Sequence, residues 1–237
     1  MFRCSVMPAV EAGDGLPRSY GGWPALVQVF ALVVAALALA GGAGAADGPV
    51  RIVALGNSLT AGLGLPANAA FPARLEQALR AKGIAVEISN AGVSGDTASG
   101  GLARLDWSVP EGTEAVIVEL GANDTLRGID PKVTRQALEE IVRRLRVRGI
   151  AVLLAGMRAA PNLGPDYARD FEGIYSDLAA RNDLLLYPFF LDGVATDARL
   201  NQRDGLHPTA AGVDAIVARI LPKAEELVAR ARSKRGM

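Results

Sequence analysis

Three residues of this sequence have side chains that could together hydrolyse an ester bond. His207 is the only histidine in the chain, and Ser58 lies in a Gly-Asn-Ser-Leu-Thr segment directly after an apolar run. A serine hydroxyl becomes a good nucleophile when an imidazole removes its proton and a carboxylate holds that imidazole in the right tautomer. Asp204 is a suitable carboxylate, because a tight turn at Gly205 would bring it to one ring nitrogen of the histidine. The three residues predict a Ser-His-Asp triad.

Each of these residues alone has a simpler interpretation. A lone histidine is more often an ordinary surface or core residue than a base, and Ser58 could be no more than the N-cap of a helix. Ser58 also lacks the second glycine of the Gly-x-Ser-x-Gly elbow, so the segment is not that of an ordinary α/β-hydrolase. The Asp-x-x-His-Pro setting of His207 favours the catalytic interpretation.

A serine hydrolase also needs hydrogen-bond donors for the negative oxygen of its tetrahedral intermediate. The sequence offers the backbone N–H groups of Ser58 and Gly95 and the side-chain amide of Asn123, each following a predicted strand. Glycine permits close approach of the backbone to a ligand, and an asparagine amide is a neutral donor. A plain turn at Gly95 and an Asx turn at Asn123 are the alternatives.

The elements that would position these residues alternate along the chain. Apolar runs predict strands at Val50–Leu55, Ile84–Ile88, Ala115–Leu120, Ile150–Leu154 and Leu184–Tyr187. Helical spacing predicts helices at Ala70–Lys82, Lys132–Arg148, Asp166–Arg181 and Thr209–Ala231. This alternation predicts one three-layer α/β/α domain over residues 48–237, built on a parallel sheet. Ligands of such sheets bind beyond the carboxyl ends of the strands, where the candidate residues stand.

The segment from Lys132 to Arg148 has the clearest helical period. Its apolar side chains lie mostly three or four positions apart and predict one buried face, formed by Val133, Ala137, Leu138, Ile141 and Leu145.

Residues 1–47 differ in character from the rest of the chain. Arg3 and Arg18 precede an almost purely apolar run at residues 25–40, and small residues of the Ala-x-Ala type follow. This order is typical of a secretory signal peptide, with cleavage expected after Ala45. The mature chain would then be periplasmic or secreted, with no stable membrane insertion. An uncleaved anchor at residues 25–40 is the alternative, although a spanning helix needs about 20 apolar residues.

The composition argues against several other classes of protein. Lys and Arg together number 25, as do Asp and Glu, and aromatic residues make up 5% of the chain, so we expect no nucleic-acid partner. One histidine and one cysteine, Cys4, leave too few ligands for the usual zinc site. We expect a monomer whose partner is a small-molecule substrate, with no metal site.

Four segments, in order, resemble the sequence blocks of the SGNH, or GDSL, hydrolases. They are Gly56-Asn57-Ser58-Leu59, Gly95 in its Ser-Gly-Asp-Thr run, Gly121-Ala122-Asn123-Asp124 and Asp204-Gly205-Leu206-His207. Residues 94–105 and 187–190 further resemble the bacterial thioesterase I/protease I/lysophospholipase L1 group. One such block is a weak signal, whereas four in order span nearly the whole predicted domain.

The resemblance implies a flavodoxin-like fold with strand order 2-1-3-4-5. It implies Ser58, Asp204 and His207 as the triad, and an oxyanion hole formed by Ser58, Gly95 and Asn123. It further implies activity on acyl esters, acyl thioesters and lysophospholipids in the periplasm, without a cofactor.

The resemblance also implies that the loop Met157–Pro165 lines the acyl groove, and an ordinary surface loop is the alternative. The candidate substrate contacts in this loop are Met157, Ala160, Pro161 and Leu163. Phe189, Phe190 and Leu191 would form another wall of the groove or belong to the core.

Asn57 departs from the family, which usually has aspartate at this position. The residue is not a triad member there and supports the nucleophile loop, so we expect activity with altered loop stability or pH dependence. Three alternatives stay open: a carbohydrate O-acetyl esterase with the same residues, a non-catalytic flavodoxin-like binding module, and an inactive relative.

Overall fold

The apolar runs of the sequence form a five-stranded parallel sheet in the computed structural model, which describes residues 48–235. The strands are β1 (Val50–Gly56), β2 (Val86–Gly92), β3 (Ala115–Glu119), β4 (Ala151–Ala155) and β5 (Leu185–Tyr187). Their order across the sheet is β2-β1-β3-β4-β5, and every neighbouring pair is parallel. The predicted fold class and strand order are confirmed, whereas the predicted export segment lies outside the described residues.

Helices cover both faces of this sheet. The long ones are α2 (Phe71–Ala81), α6 (Pro131–Val147), α7 (Gly164–Asn182) and α8 (Ala210–Arg235). Short helices stand beyond the carboxyl ends of the strands: α1 (Ser58–Ala61), α3 (Ala98–Ala103), α4 (Leu105–Ser108) and α5 (Ala122–Leu126). Two 3₁₀ turns, Ala67–Ala69 and Pro161–Leu163, complete the connections. Within residues 48–235, no helix is both long and apolar enough to cross a membrane.

The second strand differs from its prediction. It runs from Val86 to Gly92 rather than from Ile84 to Ile88, because Ile84 instead ends the preceding helix by donating its N–H to the carbonyl of Leu79 at 3.1 Å. The polar residues after Ile88 then continue the strand, since it pairs with β1 along its whole length at the edge of the sheet. An edge strand can carry polar side chains. The carboxyl half of β2 therefore lacks the apolar run by which a strand is predicted.

The buried face of α6 also differs from its prediction at one position. Val133 is 44% exposed, whereas Ala137, Leu138, Ile141 and Leu145 are buried as expected. Thr134 is buried in its place, because its hydroxyl donates to the buried carboxylate of Asp124 at 2.9 Å. Thr134 thus takes the first-turn position on the buried face of this helix.

The core extends beneath the site on both sides of the sheet. Strands β3 and β4 are buried along their whole length, as expected for central parallel strands. Phe190 is fully buried and packs edge-to-face on Phe71, with ring centroids 4.9 Å apart. Phe190 is therefore a core residue, and Phe189 is partly buried against the same core. The carboxyl ends of the strands thus lie next to a packed core.

Candidate active site

The nucleophile candidate stands where β1 turns into the short helix α1. Ser58 is the first residue of this helix, and Asn57 caps it by accepting the N–H of Leu59 at 2.9 Å. Gly56 is required at the strand end, since a Cβ there would lie 2.0 Å from Thr60 Oγ1. The tight strand-to-helix turn presents the Ser58 hydroxyl at the edge of the sheet.

The histidine and its carboxylate come from a tight turn before α8. Gly205 adopts a φ of +69°, and Asp204 Oδ1 accepts the N–H groups of Leu206 at 2.9 Å and His207 at 3.0 Å. Asp204 Oδ2 lies 2.7 Å from His207 Nδ1, and His207 Nε2 lies 2.9 Å from Ser58 Oγ. The structure therefore brings the three predicted residues together in the order that a triad requires.

Asp204 is electrostatically suited to hold an imidazolium ion. The N–H groups of His207 and Leu206, and then the His207 ring, lower the pKa of Asp204 to about 2. The carboxylate is ionised at neutral pH, and its partial exposure to solvent also favours the charged form. An ionised acceptor at Nδ1 fixes the tautomer in which Nε2 faces Ser58 as a base.

Two of the three candidate oxyanion donors are free to bind a ligand. Among residues 48–235, no group accepts a hydrogen bond from the backbone N–H of Ser58 or of Gly95. Gly95 has a φ of +88°, and its carbonyl oxygen accepts from Arg127 Nη2 at 2.8 Å. Asn123 follows β3 and donates one amide hydrogen to the carbonyl of Asp96 at 2.9 Å, which leaves its other amide hydrogen available.

An apolar cavity of about 210 Å³ opens beside Ser58 and His207. The predicted contacts Met157, Ala160 and Pro161 line it, whereas Leu163 does not. Leu163 is the last residue of the 3₁₀ turn Pro161–Leu163, which leads directly into α7. The other lining residues come from five segments and are Leu59, Ala122, Asn123, Thr125, Leu126, Arg158, Ala159, Leu191 and Leu206.

Comparison with known proteins agrees with this geometry. Residues 54–215 match the model of the GDSL-like lipase/acylhydrolase family. The chain belongs to this family. Its similarity to the esterase TesA of Pseudomonas aeruginosa is 37% identity over 178 residues, which cover 75% of this chain and 89% of that protein. The thioesterase 1/protease 1/lysophospholipase L1 of Escherichia coli K12 is 39% identical over 167 residues, covering 70% of this chain and 77% of that protein.

Solved structures of similar proteins share the fold of this acylhydrolase. The crystal structure of TesA superposes with a TM-score of 0.71 at 36% identity and covers 75% of this chain and 99% of that one. The structure of AlinE4, an SGNH-hydrolase family esterase, is 46% identical with a TM-score of 0.65, and covers 77% of this chain and 98% of that one. The chain is therefore an enzyme of the SGNH ester hydrolase class.

Arg104 is a residue of this acylhydrolase that the sequence did not single out. From the end of α3 it donates Nη2 to the carbonyl of Gly56 at 2.8 Å, Nε to Asp96 Oδ2 at 2.5 Å and Nη1 to Ser108 Oγ at 2.9 Å. It thus links the end of the nucleophile strand to the loop of Gly95. Arg104 lies within residues 94–105, whose resemblance to the thioesterase I group gave no role to this arginine itself.

Two buried carboxylates have contacts that the sequence did not indicate, although Asp124 belongs to one of the four blocks. Glu119 ends β3 and contacts the nucleophile turn, and Asp124 accepts from the N–H of Ala98 and the hydroxyl of Thr134, both at 2.9 Å. Burial raises the pKa of both carboxyl groups. Asp124 thereby joins α3 to α6 directly behind Asn123. Among the residues described, no cluster of three or more His, Cys, Asp or Glu side chains could hold a metal ion.

Proposed function

We propose that this acylhydrolase cleaves acyl esters, acyl thioesters and lysophospholipids through an acyl-enzyme formed on Ser58. The observation that supports it is the continuous line of hydrogen bonds from Ser58 Oγ through His207 to Asp204, at 2.9 and 2.7 Å, beside an apolar cavity. A nucleophile, a base and a group that orients the base are the three parts that acyl transfer by serine requires.

In the first half-reaction, Ser58 Oγ attacks the carbonyl carbon while His207 Nε2 takes its proton. The tetrahedral intermediate carries its negative charge on the former carbonyl oxygen, and the ionised Asp204 stabilises the imidazolium. His207 then gives its proton to the leaving alcohol or thiol as the bond to the acyl carbon breaks. In the second half-reaction His207 takes a proton from water, whose oxygen attacks the acyl-enzyme. As the bond between Ser58 Oγ and the acyl carbon breaks, His207 returns the proton to Ser58 Oγ and the acid is released.

The oxyanion in this mechanism binds to the N–H groups of Ser58 and Gly95 and to the side-chain amide of Asn123. The two unpartnered N–H groups and the neighbouring amide support this assignment, since preorganised donors need no rearrangement during the reaction. Loss of one such donor typically costs about 3 to 4 kcal/mol in the barrier. Asn123→Ala should therefore lower kcat about 100-fold or more.

The cavity supports an acyl chain rather than a sugar as the group that enters it. Its lining is mostly aliphatic, and Met157, Ala160 and Pro161 form one side of it. Burial of an alkyl chain against such a surface stabilises the complex by about 0.8 kcal/mol for each methylene group. A panel of acyl-CoA thioesters, lysophospholipids and acetylated sugars tests this proposal. Preferential turnover of acetylated sugars would favour a carbohydrate O-acetyl esterase instead.

The mechanism is tested by replacing the nucleophile. Ser58→Ala should abolish turnover of p-nitrophenyl butyrate in a folded protein, whereas Ser176→Ala, on the exposed side of α7, should retain it. A fluorophosphonate should label the wild-type chain at Ser58, as mapped by mass spectrometry. Turnover by Ser58→Ala at the wild-type rate, or labelling elsewhere, would contradict the mechanism and favour a non-catalytic role for the fold.

We further propose that the enzyme acts in the periplasm or outside the cell, after cleavage of residues 1–45. The charged start, apolar run and Ala-x-Ala pattern support this proposal. N-terminal sequencing of the protein expressed in a Gram-negative host should begin near Ala46. A chain that keeps residues 25–40 and sediments with membranes would instead be anchored.

A further inference from the structure

A fully buried carboxylate lies beneath the nucleophile turn. Glu119 is the last residue of β3, and strand pairing places it beside Gly56 at the end of β1. Its Oε1 accepts from Asn57 Nδ2 at 2.8 Å, and its Oε2 accepts from Thr60 Oγ1 at 2.8 Å and from the Asn57 N–H at 3.4 Å. Glu119 therefore holds residues on both sides of Ser58.

The orientation of the Asn57 amide is fixed by two different partners. Its oxygen accepts the N–H of Leu59 at 2.9 Å, and its NH₂ group donates to Glu119. An aspartate at this position could accept from Leu59 in the same way. It could meet the Glu119 carboxylate only if one of the two groups bound a proton, because ionised carboxylates are acceptors alone. The amide of Asn57 removes the need for that proton.

We propose that Asn57 and Glu119 form a positioning pair that keeps Ser58 in its catalytic place when Glu119 is ionised. This inference rests on the proposed role of Ser58 as nucleophile. Neither residue of the pair touches the substrate in the proposed mechanism. The pair acts through the backbone of the turn, since Asn57 precedes Ser58 and Thr60 lies in its helix. Its consequence is an active site that stays ordered at alkaline pH.

Other ionisable groups around Glu119 do not replace this amide donor. Arg104 forms its ion pair elsewhere, Tyr175 of α7 donates to a backbone carbonyl at 2.9 Å, and Asp124 and His207 are bonded to partners of their own. Within residues 48–235, no cation contacts the Glu119 carboxylate. Burial raises the pKa of Glu119 to about 7, against the lowering effect of its donors, so its charge develops near neutral pH.

The variant Asn57→Asp tests the pair, because it keeps the shape of the side chain and adds a carboxylate against Glu119. At acid pH the two groups can share a proton, so kcat for p-nitrophenyl butyrate should stay within a few-fold of the wild-type value. At alkaline pH, where both would ionise, kcat should fall at least tenfold relative to the wild type with little change in KM. Asn68→Asp adds the same charge on the exposed surface and should leave the pH profile unchanged.

A double variant that exchanges the acid and the amide between positions 57 and 119 tests the pair even if the single variant does not fold. In Asn57→Asp with Glu119→Gln, the new amide donates to the new carboxylate, and again no shared proton is needed. This variant should recover most of the activity that Asn57→Asp loses at alkaline pH. In Glu119→Gln alone, the new NH₂ group must face either the side-chain NH₂ or the backbone N–H of Asn57, both of which are donors, so this variant should lose kcat. If Asn57→Asp does not fold, the double variant should still fold, and its failure to fold or to recover would overturn the proposal.

Labelling with a fluorophosphonate separates this proposal from the proposed function. If the wild-type enzyme is not labelled at Ser58, the proposed function fails irrespective of the pair. If the wild type is labelled and Asn57→Asp has the wild-type pH profile, the positioning pair is wrong and the proposed function stands. Melting temperatures recorded at each pH show whether a loss of kcat occurs in the folded protein.

Discussion

Arg104 and Asp96 form an ion pair that is largely shielded from solvent, with 2.5 Å between Nε and Oδ2. The carbonyl of Asp96 accepts the side-chain amide of Asn123, and the same guanidinium donates to the carbonyl of Gly56. One arginine thus connects the strand end before the nucleophile with the loop and the side chain proposed to bind the oxyanion. Its planar fork of donors suits this task better than the single ammonium of lysine.

We therefore expect Arg104→Met to impair the chemical step rather than substrate binding. A displacement of about 1 Å of catalytic groups can reduce the rate about 100-fold, so kcat should fall by about that factor with KM little changed. Arg104→Lys should recover only a small part of kcat, because lysine cannot reach all three partners. Steady-state kinetics with p-nitrophenyl butyrate measures kcat and KM for both variants. Arg143→Met, which loses only a surface ion pair with Glu140, serves as the control. If the kcat of Arg104→Met equalled that of the wild type, Arg104 would have no part in positioning the catalytic groups.

Asp204→Asn should separate the orienting role of this carboxylate from its structural role. The asparagine oxygen can still accept the N–H groups of Leu206 and His207, so the turn should survive. Its NH₂ group would face His207 Nδ1 and favour the tautomer whose Nε2 carries a proton, which cannot act as a base. We expect kcat to fall by about 10⁴, as the loss of a tautomer-fixing carboxylate does elsewhere. Unchanged melting with this loss of kcat would support the assignment; a fall of less than tenfold would argue against it.

Glu119 makes a prediction about stability and pH. Its pKa is about 7 in the folded protein, above the ordinary value of 4.5, so the folded state binds the proton more tightly than the unfolded state. The resulting stability is fully present below pH 4.5 and is lost as the pH rises through about 7. Relative to Glu119→Gln, the unfolding free energy of the wild type should thus fall by about 3 kcal/mol between these limits.

Urea unfolding of the two proteins at pH 4.5, 5.5, 6.5, 7.5 and 8.5 measures this difference. Glu111→Gln, at an exposed turn, should show no such trend and controls for the loss of a carboxylate. A difference between wild type and Glu119→Gln that is constant with pH, or that grows in the opposite direction, would show that burial does not raise the pKa of Glu119.

The sequence predicts those features of the fold and the site that have a local sequence pattern. Apolar runs located β1, β3, β4 and the short edge strand β5. The first three lie in the middle of the sheet, where parallel strands are buried on both faces and need continuous apolar sequence. The order of the motifs, each following a strand, placed Ser58, Gly95, Asn123 and the turn of His207 at one edge of the sheet. That inference needs only the fact that all strands of a parallel sheet end at the same edge.

What the sequence did not show depends on contacts between distant segments. Glu119 ends a strand and reads as an ordinary polar residue, yet strand register sets it under Asn57, 62 residues earlier in the chain. Arg104 lies 48 residues after Gly56, and no spacing rule links the two. Leu163 was expected in the acyl groove because the loop was treated as one unit. In this case the difference is local, since the cavity lining in this loop stops at Pro161.

The acyl cavity makes a prediction about chain length. Ala160 lines the cavity, and its N–H donates to Thr125 Oγ1 at 2.7 Å, which holds the loop in place. Ala160→Phe should fill part of the space that a long acyl chain needs while leaving the carbonyl site open. Exclusion of two or three methylene groups costs about 2 kcal/mol of binding. We expect kcat/KM for p-nitrophenyl octanoate to fall about 30-fold, and that for the acetate to change less than threefold.

Ala180→Phe, on the exposed side of α7, should leave kcat/KM for both esters unchanged. Equal losses for both esters would mean that the substitution distorts the triad, and no loss for either would place the acyl chain outside this cavity.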